Sequence, residues 1–163
     1  MKRPRGAALA ITLLSLAMMV VFIAMAFDAT EVTNRVAQRY LQATTVEAAA
    51  RAGLAEALAC VQDDRTFKVH LSGQLSASQA TYDVSFTPSK APYSTNNLLG
   101  TATVVGYQGR LVPPGCCHLV SVGAYGGVQG TAELVGQQQT GLSGFPEPAG
   151  LPGQIQVLSR WGE

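Results

Sequence analysis

The feature that most constrains this chain is a run without charge. From Ala7 to Phe27 no Asp, Glu, Lys or Arg occurs; Lys2, Arg3, Arg5 and Gly6 precede the run, and Asp28 and Glu31 follow it. As a helix, these residues would span roughly 31 Å, which matches the hydrocarbon core of a bilayer. The hydrophobic part of a secretory signal is shorter, roughly 7–15 residues, although Ala24-Met25-Ala26 offers a small-x-small cleavage site before Phe27. The basic flank orients the segment with its N-terminus inside and the body of the chain extracytoplasmic. In that oxidising space Cys60, Cys116 and Cys117 are able to pair. Three roles are open for such a segment: a cleaved signal, a single-span anchor, or the stem through which copies assemble.

The helical pattern does not stop at Phe27. Between Asp28 and Gln62 there is no proline and one glycine, Gly53. Val32, Val36, Tyr40 and Ala43, then Val46, Ala50, Leu54, Leu58 and Val61, recur three or four residues apart and form one apolar stripe. Glu31 and Arg35, and Glu47 and Arg51, stand four apart with the acid first, which supports a helix. The spacing predicts a continuous helix from about residue 7 to about residue 62, ended by Asp63-Asp64. An ordinary anchor hands over to a flexible linker instead.

Beyond Asp63 the period changes from helical to alternating. "QATYDVSFTP" places Tyr82, Val84 and Phe86 on one face of a strand, "SKAPYSTNNLLG" reads as a loop, and "TATVVGYQGR" reads as a further strand. "HLVSVGAYGGVQGTAELVG" reads as a hairpin turning at Gly126-Gly127. That turn pairs Tyr125 with Val128, Gly123 with Gly130, Ser121 with Ala132 and Leu119 with Leu134. The resulting face is apolar and low in its middle, which suits close approach of a helix. The opposite face, with Gln129, Thr131 and Glu133 across from Ala124, Val122 and Val120, reads as wetter. From residue 138 the chain is rich in Gly, Pro and Gln, and "IQVLSRW" reads as a returning edge strand. The fold class expected is α+β, a long helix packed on a small antiparallel sheet. Its segments are 1–6, 7–27, 28–62, 63–137 and 138–163.

Charge and motifs exclude several functions. The net charge is +1 from 11 basic and 10 acidic residues, and three of the basic ones belong to the leader. The remainder is slightly acidic and carries no electrostatic footprint for nucleic acid. Cys116-Cys117-His118 lacks the spacing of a zinc site, and no second ligand pair exists. A bond from Cys60 to Cys116 or Cys117 is the structural reading of the three cysteines. His70 reads as a solvated side chain. No nucleophile elbow or glycine-rich phosphate loop is present, so neither catalysis nor a cofactor is expected.

The leader "KRPRG", the oily run from Ala7, the unbroken helix into "VEAAARAGLAEAL" and the hairpin "VSVGAYGGVQGTAEL" together resemble the type IV pilin superfamily, which includes minor pilins and type II secretion pseudopilins. The resemblance implies a ladle-shaped subunit, cleavage after Gly6 by a prepilin peptidase, and N-methylation of Ala7. It also implies other pilins or pseudopilins as partners through residues 7–27, an inner-membrane assembly platform, and membrane lipid before assembly. Ala8, Leu9, Ile11, Leu13, Leu14, Leu16 and Phe22 would then make the filament or membrane contacts. One position departs from the pattern: pilins usually carry glutamate five residues after the cleavage site, and here that residue is Ile11. The family role of that acid is to neutralise a neighbour's terminal amine in an apolar core, where an unpaired charge is expensive. A tip or low-copy subunit suits Ile11 better than a shaft subunit. A single-span or secreted extracytoplasmic domain is the alternative.

Overall fold

The computed structural model describes the backbone of residues 5–138 and 155–162, and side chains from residue 9 to residue 138. The chain divides into two compact units, Met1–Leu41 and Gln42–Glu163. The division falls inside the 28–62 segment expected from sequence. A single helix, α1 (Arg5–Asp63), carries the chain across it.

The physical basis of α1 is local. It holds no proline, and Arg35 pairs with Glu31 and Arg51 with Glu47 one turn apart, worth a few tenths of a kcal/mol per exposed pair, about. The apolar stripe has two fates. Within the first unit Val32, Val36 and Tyr40 are exposed; within the second, Val46, Ala49, Ala50, Leu54, Ala57 and Val61 are buried. The helix stops where Asp64 turns back on Thr66, whose amide and hydroxyl donate to the Asp64 carboxylate at 2.8 and 2.7 Å. Those two bonds hold the Asp64 carboxyl below its ordinary range.

Eight strands follow among the described residues: β1 (Leu71–Gln74), β2 (Thr81–Val84), β3 (Thr95–Asn97), β4 (Val104–Val105), β5 (Leu111–Val112), β6 (Cys116–Tyr125), β7 (Val128–Gln138) and β8 (Ile155–Gly162). The main sheet has the order β1-β2-β6-β7-β8, and β3 pairs with the Cys116–His118 end of β6; every pairing is antiparallel. The returning segment is therefore an edge strand, as its sequence suggested. The residues between β7 and β8, including most of the Gly/Pro-rich tail, lie outside those described.

The β6–β7 hairpin has the register expected from its turn: Tyr125 opposite Val128, Gly123 opposite Gly130, Ser121 opposite Ala132, Leu119 opposite Leu134. Gly126 and Gly127 have φ of 58° and 80°, the left-handed conformation that a two-residue hairpin loop demands. The low middle of the inner face does admit the helix. A Cβ on Gly123 would lie 2.2 Å from the Val46 carbonyl oxygen, and one on Gly130 would lie 2.9 Å from the Val46 side chain. Around this contact Ala50, Leu54, Ala57 and Val61 of α1 form one core with Val84, Leu98, Cys117, Leu119, Ala132 and Leu134. Full burial of a Leu or Val such as Leu54, Leu119 or Val61 contributes about 1.5–3 kcal/mol each.

Two readings of the strands need correction. "SKAPYSTNNLLG" is not wholly loop, because Thr95–Asn97 forms β3. Its polar residues are retained in buried positions by hydrogen bonds: Asn96 Nδ2 donates to the Arg65 and Phe67 carbonyls, and Asn97 Nδ2 to those of Ala102 and Val112. The strand expected in "TATVVGYQGR" shrinks to β4, which pairs only with β5 in a separate ribbon. Gln108 and Gly109, at φ 55° and 73°, force the turn that cuts it short.

The outer face is wet towards the hairpin loop, where Gln129 and Thr131 are exposed, and at Gln137 near the end of β7. Between them His118 and Val120 are each 1% exposed, contrary to the wetter face expected. There Ser94 Oγ donates to the Val120 carbonyl and accepts from its amide, and Val112 of the ribbon is buried.

Candidate functional site

The candidate site is the apolar stretch of α1 within the first unit. Leu9, Ile11, Leu13, Leu14, Leu16, Met18, Met19 and Phe22 are all more than half exposed, and none of the most apolar 18-residue window of the helix is buried. A helix that is apolar on every side requires an apolar surrounding. The mean hydropathy of that window, 2.6, is high enough for a membrane span, and this is the one such helix among the described residues.

Its two hydroxyl residues do not disturb that character. Thr12 Oγ1 donates to the Leu9 carbonyl at 2.9 Å, and Ser15 Oγ donates to the Thr12 carbonyl at 2.9 Å. Each hydroxyl is thus satisfied inside the helix, which spares the cost of an unpaired polar group in hydrocarbon. Beyond Phe27, Thr30 and Thr33 bond back to Ala26 and Ala29 in the same way. Gly6 and Ala7, the expected processing junction, fall in the first turn of α1, and Ile11 is two-thirds exposed. The side chains of residues 5–8, Ala7 and Ala8 included, lie outside those described, as do Lys2 and Arg3.

The cysteines and histidines sit in the second unit. Strand alternation separates Cys116-Cys117-His118: Cys117 joins the core under α1, while Cys116 and His118 take the outer face. All three cysteines are free thiols, so the bond expected from Cys60 is not formed. Cys60 is half-buried, whereas Cys116 and Cys117 are buried. Burial pushes the Cys117 thiol up to about 11 and raises that of Cys116, which makes both poor nucleophiles. Among the described residues no His, Cys, Asp and Glu side chains are grouped so as to hold a metal ion.

His70 is exposed but has partners: its Nε2 shares a hydrogen bond with the Asp83 carboxylate, to which Lys90 Nζ donates at 3.2 Å. Burial raises the Asp83 carboxyl, but these two bonds outweigh it and hold the group below its ordinary value. Sequence reasoning missed a second cluster. His118 Nε2 lies 3.1 Å from Glu133 Oε2, and Arg110 Nη2 lies 3.7 Å from the same oxygen. The hairpin register contained its signal, since His118 and Glu133 are diagonal neighbours on one face. Burial lowers the His118 pKa against the opposing pull of Glu133.

Comparison of the chain with protein-family models, curated proteins and solved structures gives no match.

Proposed function

We propose that the protein is a non-enzymatic filament subunit of the minor pilin or pseudopilin type, working through residues 7–27. The observation that supports this reading is α1 itself. One unbroken helix joins an apolar stretch, exposed on all sides, to residues 46–61 that pack on the sheet. The apolar stretch has two apolar homes, lipid or a bundle of identical helices, and moving between them costs little. Packing between small residues can drive the association. Ala10, Ser15, Ala17, Ala24 and Ala26 supply close contacts, and Leu13, Leu14, Leu16 and Phe22 fill volume between helices.

On this reading the N-terminus faces the cytoplasm, because Lys2, Arg3 and Arg5 flank that end and Asp28 and Glu31 the other. A prepilin peptidase cuts after Gly6, Ala7 is methylated, and an inner-membrane platform passes the subunit from lipid into a type IV pilus or a type II secretion-like filament. Ile11 leaves a neighbour's amine unneutralised, so the subunit belongs at the tip or at low copy. Deletion of the gene is the test. Reduced piliation, adhesion, twitching or secretion, with the protein found in sheared filaments, is expected. Wild-type levels of all four, with the protein confined to membranes, would leave an anchored extracytoplasmic domain instead.

A further inference from the structure

Two ionisable side chains meet one carboxylate on the outer face of the sheet. Glu133 of β7 is 15% exposed, and its Oε2 faces both His118 of β6 and Arg110, which precedes β5 at the ribbon's turn. His118 is buried, and its Nδ1 has no hydrogen-bond partner. The network therefore assigns the ring proton of neutral His118 to Nε2, donating to Glu133 and leaving only a lone pair at Nδ1. In that state Arg110 is the cation that balances Glu133.

The other neighbours of His118 do not compete for this carboxylate. Thr95 on β3 and Val135 on β7 stand opposite it and do not ionise. Cys116, two residues along the same face, is a buried thiol. Trp161 and Ser159 of β8 take the register positions beside Glu133 and Val135. From the ribbon, Tyr107 packs edge-to-face on Tyr93 with ring centroids 5.8 Å apart.

We propose that protonation of His118 releases the β4–β5 ribbon from the sheet. A proton taken from solvent at Nδ1 makes an imidazolium 3.1 Å from Glu133 in a buried setting, where a charge pair is strong. Two cations then face one carboxylate oxygen. The one that yields is Arg110, which is farther away at 3.7 Å, 39% exposed, and able to keep its charge in water. The base of the ribbon stays attached, since Val112 is buried and its carbonyl accepts from Asn97. The tip, residues 105–111, is the part freed, and its release parts Tyr107 from Tyr93 and uncovers Gly106, which is buried beside Thr95. The tip carries the cross-strand pair Val105 and Leu111, whose side chains are about two-thirds exposed and so do little to hold it down.

The test is an NMR titration of the full chain in detergent micelles between pH 7.5 and 5.0. The His118 ring and the backbone amides of residues 105–111 are followed together. A shared midpoint, lying below the value of about 6.5 for free histidine, is expected. His118→Gln should flatten the ribbon titration. Arg110→Gln, a change at a partly exposed position, should place the ribbon amides at pH 7.5 where the wild-type ones arrive at pH 5.0. A ribbon that stays flat while His118 titrates, a His118 ring still neutral at pH 5.0, or a ribbon response unchanged in His118→Gln would each overturn the proposal.

Discussion

Gly123 on β6 supports the backbone of α1 at Val46: a Cβ on the glycine would stand 2.2 Å from the Val46 carbonyl oxygen and 2.8 Å from the Ala50 amide nitrogen. Both obstacles are main chain, so neither can swing aside. Gly123→Ala is therefore expected to destabilise the second unit by about 1–3 kcal/mol, the range for overpacking a close contact. Gly130→Ala should cost less, because its neighbour is a Val46 methyl at 2.9 Å. Urea unfolding of the micelle-bound chain, followed by near-UV circular dichroism, measures both. Equal midpoints for wild type and Gly123→Ala would show that the helix does not rest there.

The thiols should report their different settings. Cys60 is half-buried, while Cys117 lies in the core with its thiol pushed up to about 11. At pH 7.5 a maleimide reagent is expected to label Cys60 first and Cys117 only after denaturation. Mass spectrometry without reductant should recover three labels per chain once unfolded. Recovery of one label would mean that two of the thiols had paired.

Stability should depend on pH through His118. Its folded pKa is depressed below the unfolded value, so the unfolded state binds the proton more readily. The stabilising contribution is complete above about pH 6.5 and falls as pH drops from there through the lowered folded value. Asp83, whose folded pKa is also depressed, loses its contribution at more acidic pH, as pH falls from the ordinary carboxylate value through its lowered folded value. Urea midpoints at pH 7.5 and 5.0 should differ in the wild type and differ less in His118→Gln. A wild-type midpoint that rises on acidification would contradict the burial of a neutral imidazole.

The apolar segment should tolerate charge unevenly. Leu16 lies near the middle of the uncharged run, where an arginine costs about 2.5–3.5 kcal/mol on insertion scales. Leu16→Arg is expected to shift the protein out of the carbonate-resistant membrane fraction. Val32→Arg, beyond the run, should leave that fraction unchanged. Equal extraction of both variants would argue against residues 7–27 as the span.

Much of this fold could be read before the structure, because its main elements are made by short-range rules. The stripe from Val46 to Val61 has one period and one buried face, and Gly126-Gly127 sets the register of every pair in β6–β7. β3 escaped because its order comes from side-chain amides reaching distant carbonyls: Asn96 to Arg65 and Phe67, Asn97 to Ala102 and Val112. No local pattern announces such bonds. The burial of Val120 and His118 was hidden for the same reason, since it depends on chain from elsewhere packing over a face that looks polar at Gln129 and Thr131. In the first unit the uncharged run itself was plain. What the run packs against is a property of its surroundings rather than of the chain.

Intact-mass and N-terminal analysis of the protein from its native cells tests the filament reading most directly. On the filament reading proposed above, a mature chain beginning at N-methylated Ala7 is the expected result. A chain beginning at Phe27 would make this a secreted domain, and one retaining Met1 would make it a plain anchored domain; either would contradict the filament reading.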